Sequence, residues 1–186
     1  MKKKLFTLLL LTSISFTALG QTMAVNNEDS SIHWLAKKVT GQHEGNISIA
    51  DGNLVVLNNT LTGGNFEVDM NSMTVTDLTG EYKEKLVGHL KSDDFFGVAK
   101  FPKANLEITN AIQKMDNHYE VIADLTIKGI TNSITFNMHI ENKTAISNLT
   151  IDRSKFDIRY GSDSFFDNLG DKTIYDNFEI HVTLKF

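Results

Sequence analysis

The nine residues FEIHVTLKF, Phe178 to Phe186, alternate between apolar and polar side chains without a break. A period of two places every second side chain on the same face of a strand, so the segment predicts a strand with one apolar and one polar face. The same alternation recurs at 66–71, 105–109 and 134–141. Strands of this kind are typical of antiparallel sheets that are wet on one side.

Runs of this type predict about eight strands, separated by turn-forming residues. The predicted strands lie near 31–40, 44–50, 53–58, 63–73, 102–115, 118–128, 132–142 and 146–156, with a last one near 176–186. The predicted turns are Asp51-Gly52, Asn58-Asn59, Gly63-Gly64 and Asp116-Asn117.

One segment carries a helical period instead. Its apolar residues recur every four positions and predict a helix over 78–91, capped by Asp77 or Thr79. The apolar stripe consists of Leu78, Tyr82, Leu86 and Leu90. A shorter helical turn is predicted near 162–169.

The predicted fold class is therefore all-β with one or two short helices. Eight or nine amphipathic antiparallel strands form a sandwich or a barrel, and closure removes the exposed edges that invite aggregation. A barrel of about eight strands is either filled by its own side chains or holds one small ligand. The residues alone do not decide between a filled interior and one that holds a ligand.

Composition excludes several functions. With 186 residues the chain is long enough for one domain with a sizeable core. A net charge of −5 argues against nucleic acid as a partner, because phosphates require a basic face. The absence of cysteine excludes disulfides, thiol nucleophiles and Cys-ligated zinc. No G-x-S-x-G or phosphate-binding loop occurs, and no two of the six histidines have ligand spacing. We therefore expect neither enzyme activity, nor a metal, nor a cofactor.

The N-terminus has the pattern of an export signal. Lys2, Lys3 and Lys4 precede an apolar stretch over 5–16, and Ala18-Leu19-Gly20 supplies small residues for cleavage. Residues 1–20 are predicted to be a signal peptide, which leaves 21–186 as the mature domain without a transmembrane segment. The predicted location is periplasmic or secreted.

Four motifs give the chain a specific resemblance. They are SIHW at 31–34, HLKSDDFF at 89–96 with Phe101-Pro102, ADLTIKGIT at 123–131, and LTIDRSKFDI at 149–158. In order and spacing they resemble the YceI-like lipid-binding family from about Ser31 to Phe186. Ala123 and Gly97 depart from the pattern expected there. The resemblance implies a lipocalin-like extended antiparallel β-barrel with an apolar tunnel. It also implies a polyisoprenoid ligand, such as a prenyl diphosphate or a lipid with a quinone-type tail, in an exported carrier or reservoir.

The candidate site is the inner face of that barrel. Large adaptable side chains on the predicted inner faces suit an irregular apolar wall. The expected tunnel residues are Trp34, Phe66, Val68, Met70, Leu106, Ile108, Phe136, Met138, Phe178, Ile180 and Val182. His43 and Arg153 are the candidates for a lipid headgroup, although Arg153 next to Asp152 also fits a structural ion pair.

The alternative function is a non-catalytic structural or interaction protein. Its barrel would have a solid core, and its acidic outer surface would bind a partner. Formation of a homodimer is open under either function.

Overall fold

The computed structural model describes residues 20–186, so the predicted signal peptide lies outside the described residues except for Gly20. Strands dominate, joined by short turns, with one α-helix and two short 3-10 helices. The strands are β1 Gln21–Ala24, β2 Ser31–Lys38, β3 Gly41–Leu57, β4 Thr60–Val75, β5 Lys103–Met115, β6 His118–Ile127, β7 Ile130–Glu141, β8 Thr144–Asp152 and β9 Ile174–Lys185. Helix α1 spans Gly80–Lys91, and the 3-10 helices span Arg153–Phe156 and Gly170–Lys172.

Eight antiparallel strands close into a barrel. The order around it is β2-β9-β8-β7-β6-β5-β4-β3, and β3 pairs with both β4 and β2. The short strand β1 lies outside this ring and pairs with the second half of β3, where Gln21 faces Val56. Closure satisfies the backbone groups that an open edge would expose. The predicted lipocalin-like barrel of about eight strands is confirmed.

The barrel has two different ends. At one end, which we call the helix end, β4 runs into α1 and β8 runs into the first 3-10 helix. At the other end, which we call the turn end, the connections β3–β4, β5–β6 and β7–β8 are tight hairpins. Asn58 and Asn59 both have positive φ there, as a two-residue type I′ turn requires. The turns predicted at Asn58-Asn59 and Asp116-Asn117 agree with this arrangement, whereas the pair Asn142-Lys143 was not recognised as a turn.

Two predicted turns are wrong because their glycines lie inside strands. Gly52 lies in the continuous strand β3, opposite Phe66, and the register shifts by a bulge between Ile49 and Asp51. A Cβ atom on Gly52 would lie 2.6 Å from Phe66 Cδ1. Gly64 lies in β4, where a Cβ atom would approach the Asn53 carbonyl oxygen to 2.6 Å. Both glycines permit a close approach within the sheet rather than a reversal of the chain.

Helix α1 is confirmed, but its buried face differs from the predicted stripe. Leu90 is buried and Leu86 is half-buried against the core, whereas the side chain of Tyr82 is 76% exposed. Thr79 occupies the N-cap position, but its side chain makes no capping hydrogen bond. The side chain of Asp77 pairs with His43 and does not cap the helix. Glu81 and Lys85 form the expected exposed ion pair at 2.7 Å. The recurrence of apolar residues about every four positions predicted the helix correctly. Which of these residues are buried depends on how the helix packs against the barrel.

Candidate functional site

The interior of the barrel is solid at the turn end and hollow towards the helix end. At the turn end, Leu54, Leu61, Val121 and Ala145 are at most 1% exposed and fill the space between the walls. Farther along, inward-facing side chains remain half-buried, although they lie on the apolar faces of their strands. These residues include Phe66, Val68, Leu106, Phe178, Ile180 and Val182. They border a cavity instead of opposing side chains, because close packing would leave them no accessible surface.

The cavity is apolar and large on the scale of water. The cavity volume that the centre of a water molecule can reach is about 180 Å³. A cavity that holds a single water needs only ~10–15 Å³ of such volume. Its few polar wall residues are Asn105, Ser147, Arg153 and Tyr175. Such a wall suits an apolar ligand that carries few polar groups.

Ten of the predicted tunnel residues lie on the cavity wall. They are Trp34, Phe66, Val68, Met70, Leu106, Phe136, Met138, Phe178, Ile180 and Val182. Ile108 does not border the cavity. It is 5% exposed and lies opposite Gly64, within contact distance of the position that a Cβ atom would take. The alternation correctly predicted that Ile108 faces the barrel interior. It could not show that side chains fill the interior around Ile108 and leave no cavity there. Contact between these residues and a ligand stays a prediction.

Part of the cavity wall comes from the helix end, where strand alternation predicted no residue. Leu90 of α1, together with Phe95 and Phe96, borders the cavity beneath this end of the barrel. Phe95 and Phe96 pack edge to face, with ring centroids 5.1 Å apart. The adjacent aromatic pair in HLKSDDFF was the sequence signal for this part of the wall. Because the segment has no strand alternation, its pattern did not predict that the two rings face the interior.

Trp34 occupies the cavity wall because its neighbour on β3 is a glycine. Trp34 lies opposite Gly45, and a Cβ atom at Gly45 would lie 2.7 Å from Trp34 Cζ2. The indole is 7% exposed, and its Nε1 has no hydrogen-bond partner among residues 20–186. Ser147 Oγ, on β8, is likewise buried without a partner in this part of the chain. Within residues 20–186, these two buried polar groups therefore have no hydrogen-bond partner.

Arg153 borders the cavity at the helix end, but its guanidinium binds backbone carbonyls of the surrounding chain. Its guanidinium donates to the backbone carbonyls of Ile158 at 3.0 Å, Tyr160 at 2.8 Å, Ile174 at 2.9 Å and Tyr175 at 3.3 Å. Arg153 Nη2 also lies 3.2 Å from Asp176 Oδ1, at ion-pair distance but without a hydrogen bond between the two atoms. Burial lowers the pKa of Arg153, and the nearby carboxylates of Asp176 and Asp152 oppose this shift.

This network corrects the predicted partner of Arg153. Asp152 does not pair with it at close range. Instead, Asp152 Oδ1 accepts hydrogen bonds from the backbone N–H and hydroxyl of Ser154. Asp176 also accepts from Ser162 and Ser164, at 2.9 and 2.6 Å. Arg153 thus fastens the 157–176 segment to the barrel through four hydrogen bonds to backbone carbonyls and an ion pair with Asp176. A headgroup role for Arg153 would require breaking this network.

His43 lies outside the cavity wall. Its Nδ1 is 2.8 Å from Asp77 Oδ2, and the backbone N–H of Glu44 donates to Asp77 Oδ1 at 3.1 Å. Burial by itself raises the pKa of Asp77, but the hydrogen bonds from Glu44 and His43 outweigh it and hold the pKa below the ordinary value of 3.8. The pair ties β3 to the segment that leads into α1. His43 as a headgroup residue stays a prediction.

The sheet register places histidines side by side that are far apart in sequence. His118 lies opposite His139, with ring centroids 4.2 Å apart, and His33 lies opposite His181. These pairs are on the outer face, where an alternation pattern alone cannot show cross-strand partners. Within residues 20–186, no group of three or more His, Asp or Glu side chains has an arrangement that could hold a metal ion.

The fold and the interior define a closed eight-stranded antiparallel β-barrel with an internal apolar cavity. A model of the YceI-like domain matches residues 23–186. The chain therefore belongs to the YceI-like domain family. In the part of the chain that the structure describes, no helix is both long enough and apolar enough to cross a membrane.

Curated relatives match over shorter stretches. A UPF0312 protein of Shewanella denitrificans is 33% identical over 79 residues, which are 42% of this chain and 39% of that protein. A UPF0312 protein of Staphylococcus aureus is 46% identical over 50 residues, 27% of this chain and 26% of that protein. The matched stretches thus span well under half the length of these relatives.

Solved structures extend the likeness to the whole barrel. BcnA of Burkholderia cenocepacia has a TM-score of 0.67 at 19% identity, over 86% of this chain and 98% of that chain. A polyisoprenoid binding domain from Saccharophagus degradans has a TM-score of 0.59 at 12% identity, over 87% and 95%. A Campylobacter jejuni YCEI protein has a TM-score of 0.55 at 15% identity, over 99% and 92%. At these identities the likeness concerns the fold.

Proposed function

We propose that this chain is an exported, non-catalytic lipid-binding protein that holds a polyisoprenoid in its barrel, as a carrier or reservoir. The observation that carries the proposal is the hollow half of the barrel, where inward-facing apolar side chains border a cavity. The polyisoprenoid binding domain from Saccharophagus degradans shares the fold and supports this ligand class. The alternative of a solid core is disfavoured, because the inward-facing apolar side chains around the cavity are only half-buried and do not fill it.

The composition of the wall suits a long, kinked hydrocarbon. Phenylalanine and methionine from three strands, β4, β7 and β9, including Phe66, Met70, Phe136 and Met138, provide an irregular surface. Methionine fits uneven shapes because its side chain is unbranched and polarisable. With a ligand efficiency of about −0.3 kcal/mol per atom, a chain of ~40 carbons would bind with roughly −12 kcal/mol, near nanomolar affinity.

Trp34 provides a direct test, because it is the only tryptophan and lies on the cavity wall. The purified protein is stripped of lipid by organic extraction, refolded, and titrated with a polyprenyl lipid while tryptophan emission is recorded. We expect a saturable change in emission, and we expect mass spectrometry of the extract to show a long-chain isoprenoid. No co-purified lipid and no response to any isoprenoid would contradict the proposal.

A steric block separates binding in the cavity from binding on the outer surface. Ile180→Trp places a large ring in the cavity, and Ile146→Trp makes the same change on the outer face of the neighbouring strand β8. We expect Ile180→Trp to fold but to carry far less lipid, and Ile146→Trp to retain it. In a solid core, Ile180→Trp would overpack by about 1–3 kcal/mol. If Ile180→Trp unfolds, or if its lipid content is unchanged, binding of the lipid in the cavity is contradicted.

Export is tested separately. The exported form should begin at Gln21, as determined by its intact mass. Retention of residues 1–20 on the protein in the cytoplasm would contradict the proposed location without affecting the proposed ligand.

A further inference from the structure

The pairing between strands β7 and β8 stops in the hollow half of the barrel. It begins at the turn end and runs only as far as Asn137 and Asn148. Neither strand ends there, because residues 130–136 of β7 and 149–152 of β8 continue towards the helix end. Within residues 20–186, no residue of one segment is paired with a residue of the other. We call these two facing edges the seam.

The strand pairs on either side of the seam stay intact. Strands β6 and β7 remain paired as far as Ile127 and Ile130, and β8 and β9 remain paired as far as Asp152 and Asn177. Each edge of the seam is therefore a regular strand that is bonded on its other side. The seam separates two continuous parts of the barrel wall.

Side chains cover the cavity at the seam. Phe136, Leu149 and Ile151 are buried, and all three border the cavity. Thr135 and Thr150, which alternate with them, are exposed on the outer face. The wall at the seam thus consists of apolar side chains that can rotate, with no pairing of the backbone between the two edges.

A hydrocarbon can pass only where the wall can widen. Paired strands lie about 4.8 Å apart, and widening them breaks several backbone hydrogen bonds at once. Opening the helix end would break the four hydrogen bonds from Arg153 that fasten the 157–176 segment. Widening the seam breaks no strand pairing. It strains the hydrogen bond that Asn132 Nδ2 donates to the carbonyl oxygen of Lys155, at 2.9 Å, near the helix end.

We propose that the seam is an entry site, through which the hydrocarbon part of the lipid passes sideways between β7 and β8 into the cavity. Phe136 and Leu149 are the side chains that move aside, and Asn132 holds the two edges together at the helix end. This inference rests on the proposed function and adds the route by which the ligand is exchanged.

The absence of cysteine from the chain allows a specific, reversible link across the seam. Thr135→Cys and Thr150→Cys place one thiol on the outer side of each edge, at positions that would face each other if the β7–β8 register continued. The shortest bis-methanethiosulfonate that joins the two thiols links them, and a reducing agent releases the link. His139→Cys with Ile146→Cys is the matched control, because these residues are paired in the same two strands nearer the turn end.

Uptake of a polyprenol from phosphatidylcholine vesicles by lipid-free protein is followed by the emission of Trp34, and the amount bound at equilibrium is measured by mass spectrometry. We expect the seam link to slow uptake by at least about tenfold, to leave the amount bound at equilibrium unchanged, and to lose its effect on reduction. The control link should leave the rate unchanged. A changed rate at unchanged occupancy identifies a route, whereas a residue that only contacts the bound lipid would change occupancy.

Asn132→Ala should have the opposite effect. It removes the hydrogen bond to Lys155 and loosens the seam, so uptake and release should both become about threefold to tenfold faster. Asn137→Ala is the matched control, because Asn137 is exposed on the outer face of the same strand. It should exchange lipid at the rate of the parent protein.

Two results would overturn the inference and leave the proposed function standing. If the seam link and Asn132→Ala both leave the uptake rate unchanged, the lipid enters elsewhere. If the seam link lowers the amount bound at equilibrium without slowing uptake, the seam belongs to the binding wall and is not a route. If the parent protein takes up no polyprenol from the vesicles, the proposed function itself is refuted, and the inference with it.

Discussion

The indole of Trp34 lies directly over Gly45, and a methyl group at residue 45 would come within 2.7 Å of Trp34 Cζ2. The same methyl group would also collide with the carbonyl oxygen of Thr74, across the β3–β4 pairing. Gly45 thus allows two close approaches at once, one to the ring and one to a backbone. The position of the single tryptophan in the cavity depends on this absence of a side chain.

The first prediction follows from that contact. Gly45→Ala should destabilise the protein by at least about 1–3 kcal/mol, because the new methyl group would lie 1.8 Å from the Thr74 carbonyl oxygen and crowd the indole, and it should shift the emission of Trp34. Gly88→Ala is the control: Gly88 lies in α1 with no atom within 4 Å of a new Cβ, so it should stabilise by about 0.5–1 kcal/mol. Urea denaturation followed by fluorescence measures both, and an unshifted, fully stable Gly45→Ala would contradict both close approaches at this position, to the Trp34 ring and to the Thr74 carbonyl oxygen.

The second prediction concerns the anchoring role of Arg153. Arg153→Met leaves four carbonyls without their donor and the carboxylate of Asp176 without its counter-charge, so it should cost about 3–5 kcal/mol of unfolding free energy. Arg159→Met breaks an exposed pair with Asp157 and should cost at most about 1 kcal/mol. Comparable losses in the two variants, measured by chemical denaturation, would be inconsistent with an anchor at Arg153.

The third prediction concerns acid stability. The pKa of Asp77 in the folded protein lies below 3.8, so the folded state binds fewer protons than the unfolded state. The stabilisation from Asp77 is therefore complete above about pH 3.8 and is lost as the pH falls through the lower, folded-state pKa. Asp77→Asn should cost about 1 kcal/mol at neutral pH, and this difference from the parent protein should shrink in acid.

Unfolding free energies at several pH values measure this effect. Asp167→Asn serves as the control, since Asp167 is exposed and has no hydrogen bond or ion pair within residues 20–186. A constant difference between Asp77→Asn and the parent across the acid range would mean that the carboxylate is not stabilised by its partners.

The fourth prediction uses two leucines to compare the filled and hollow halves of the barrel. Leu61 is 1% exposed at the turn end, whereas Leu106 is half-buried and borders the cavity. Leu61→Ala should cost about 2–5 kcal/mol, as expected for a new void in a packed core. Leu106→Ala enlarges an existing cavity and should cost the lipid-free protein distinctly less. Equal losses in thermal and urea unfolding would mean that the barrel is packed throughout.

Much of the fold was predictable because strand alternation is a local property. The pattern from Phe178 to Lys185 determined which side chains of β9 face inwards, and the other alternating runs did the same for their strands. Placement of the turns was less predictable. Gly52 and Gly64 have the composition of turn residues, but only the pairing of β3 with β4 shows that they relieve crowding inside the sheet.

The sequence by itself determined an antiparallel β structure, its inward faces and the helix between β4 and β5, since these depend on periods of two and near four along the chain. The tertiary structure alone decided that the barrel is filled around Leu61 and hollow around Leu106, because this depends on the distance between opposite walls. It also decided that Arg153 binds the 157–176 segment, and that the polar atoms of Ser147 and Trp34 are buried without a partner among residues 20–186. Such relationships join residues that are distant in sequence, and no local period encodes them.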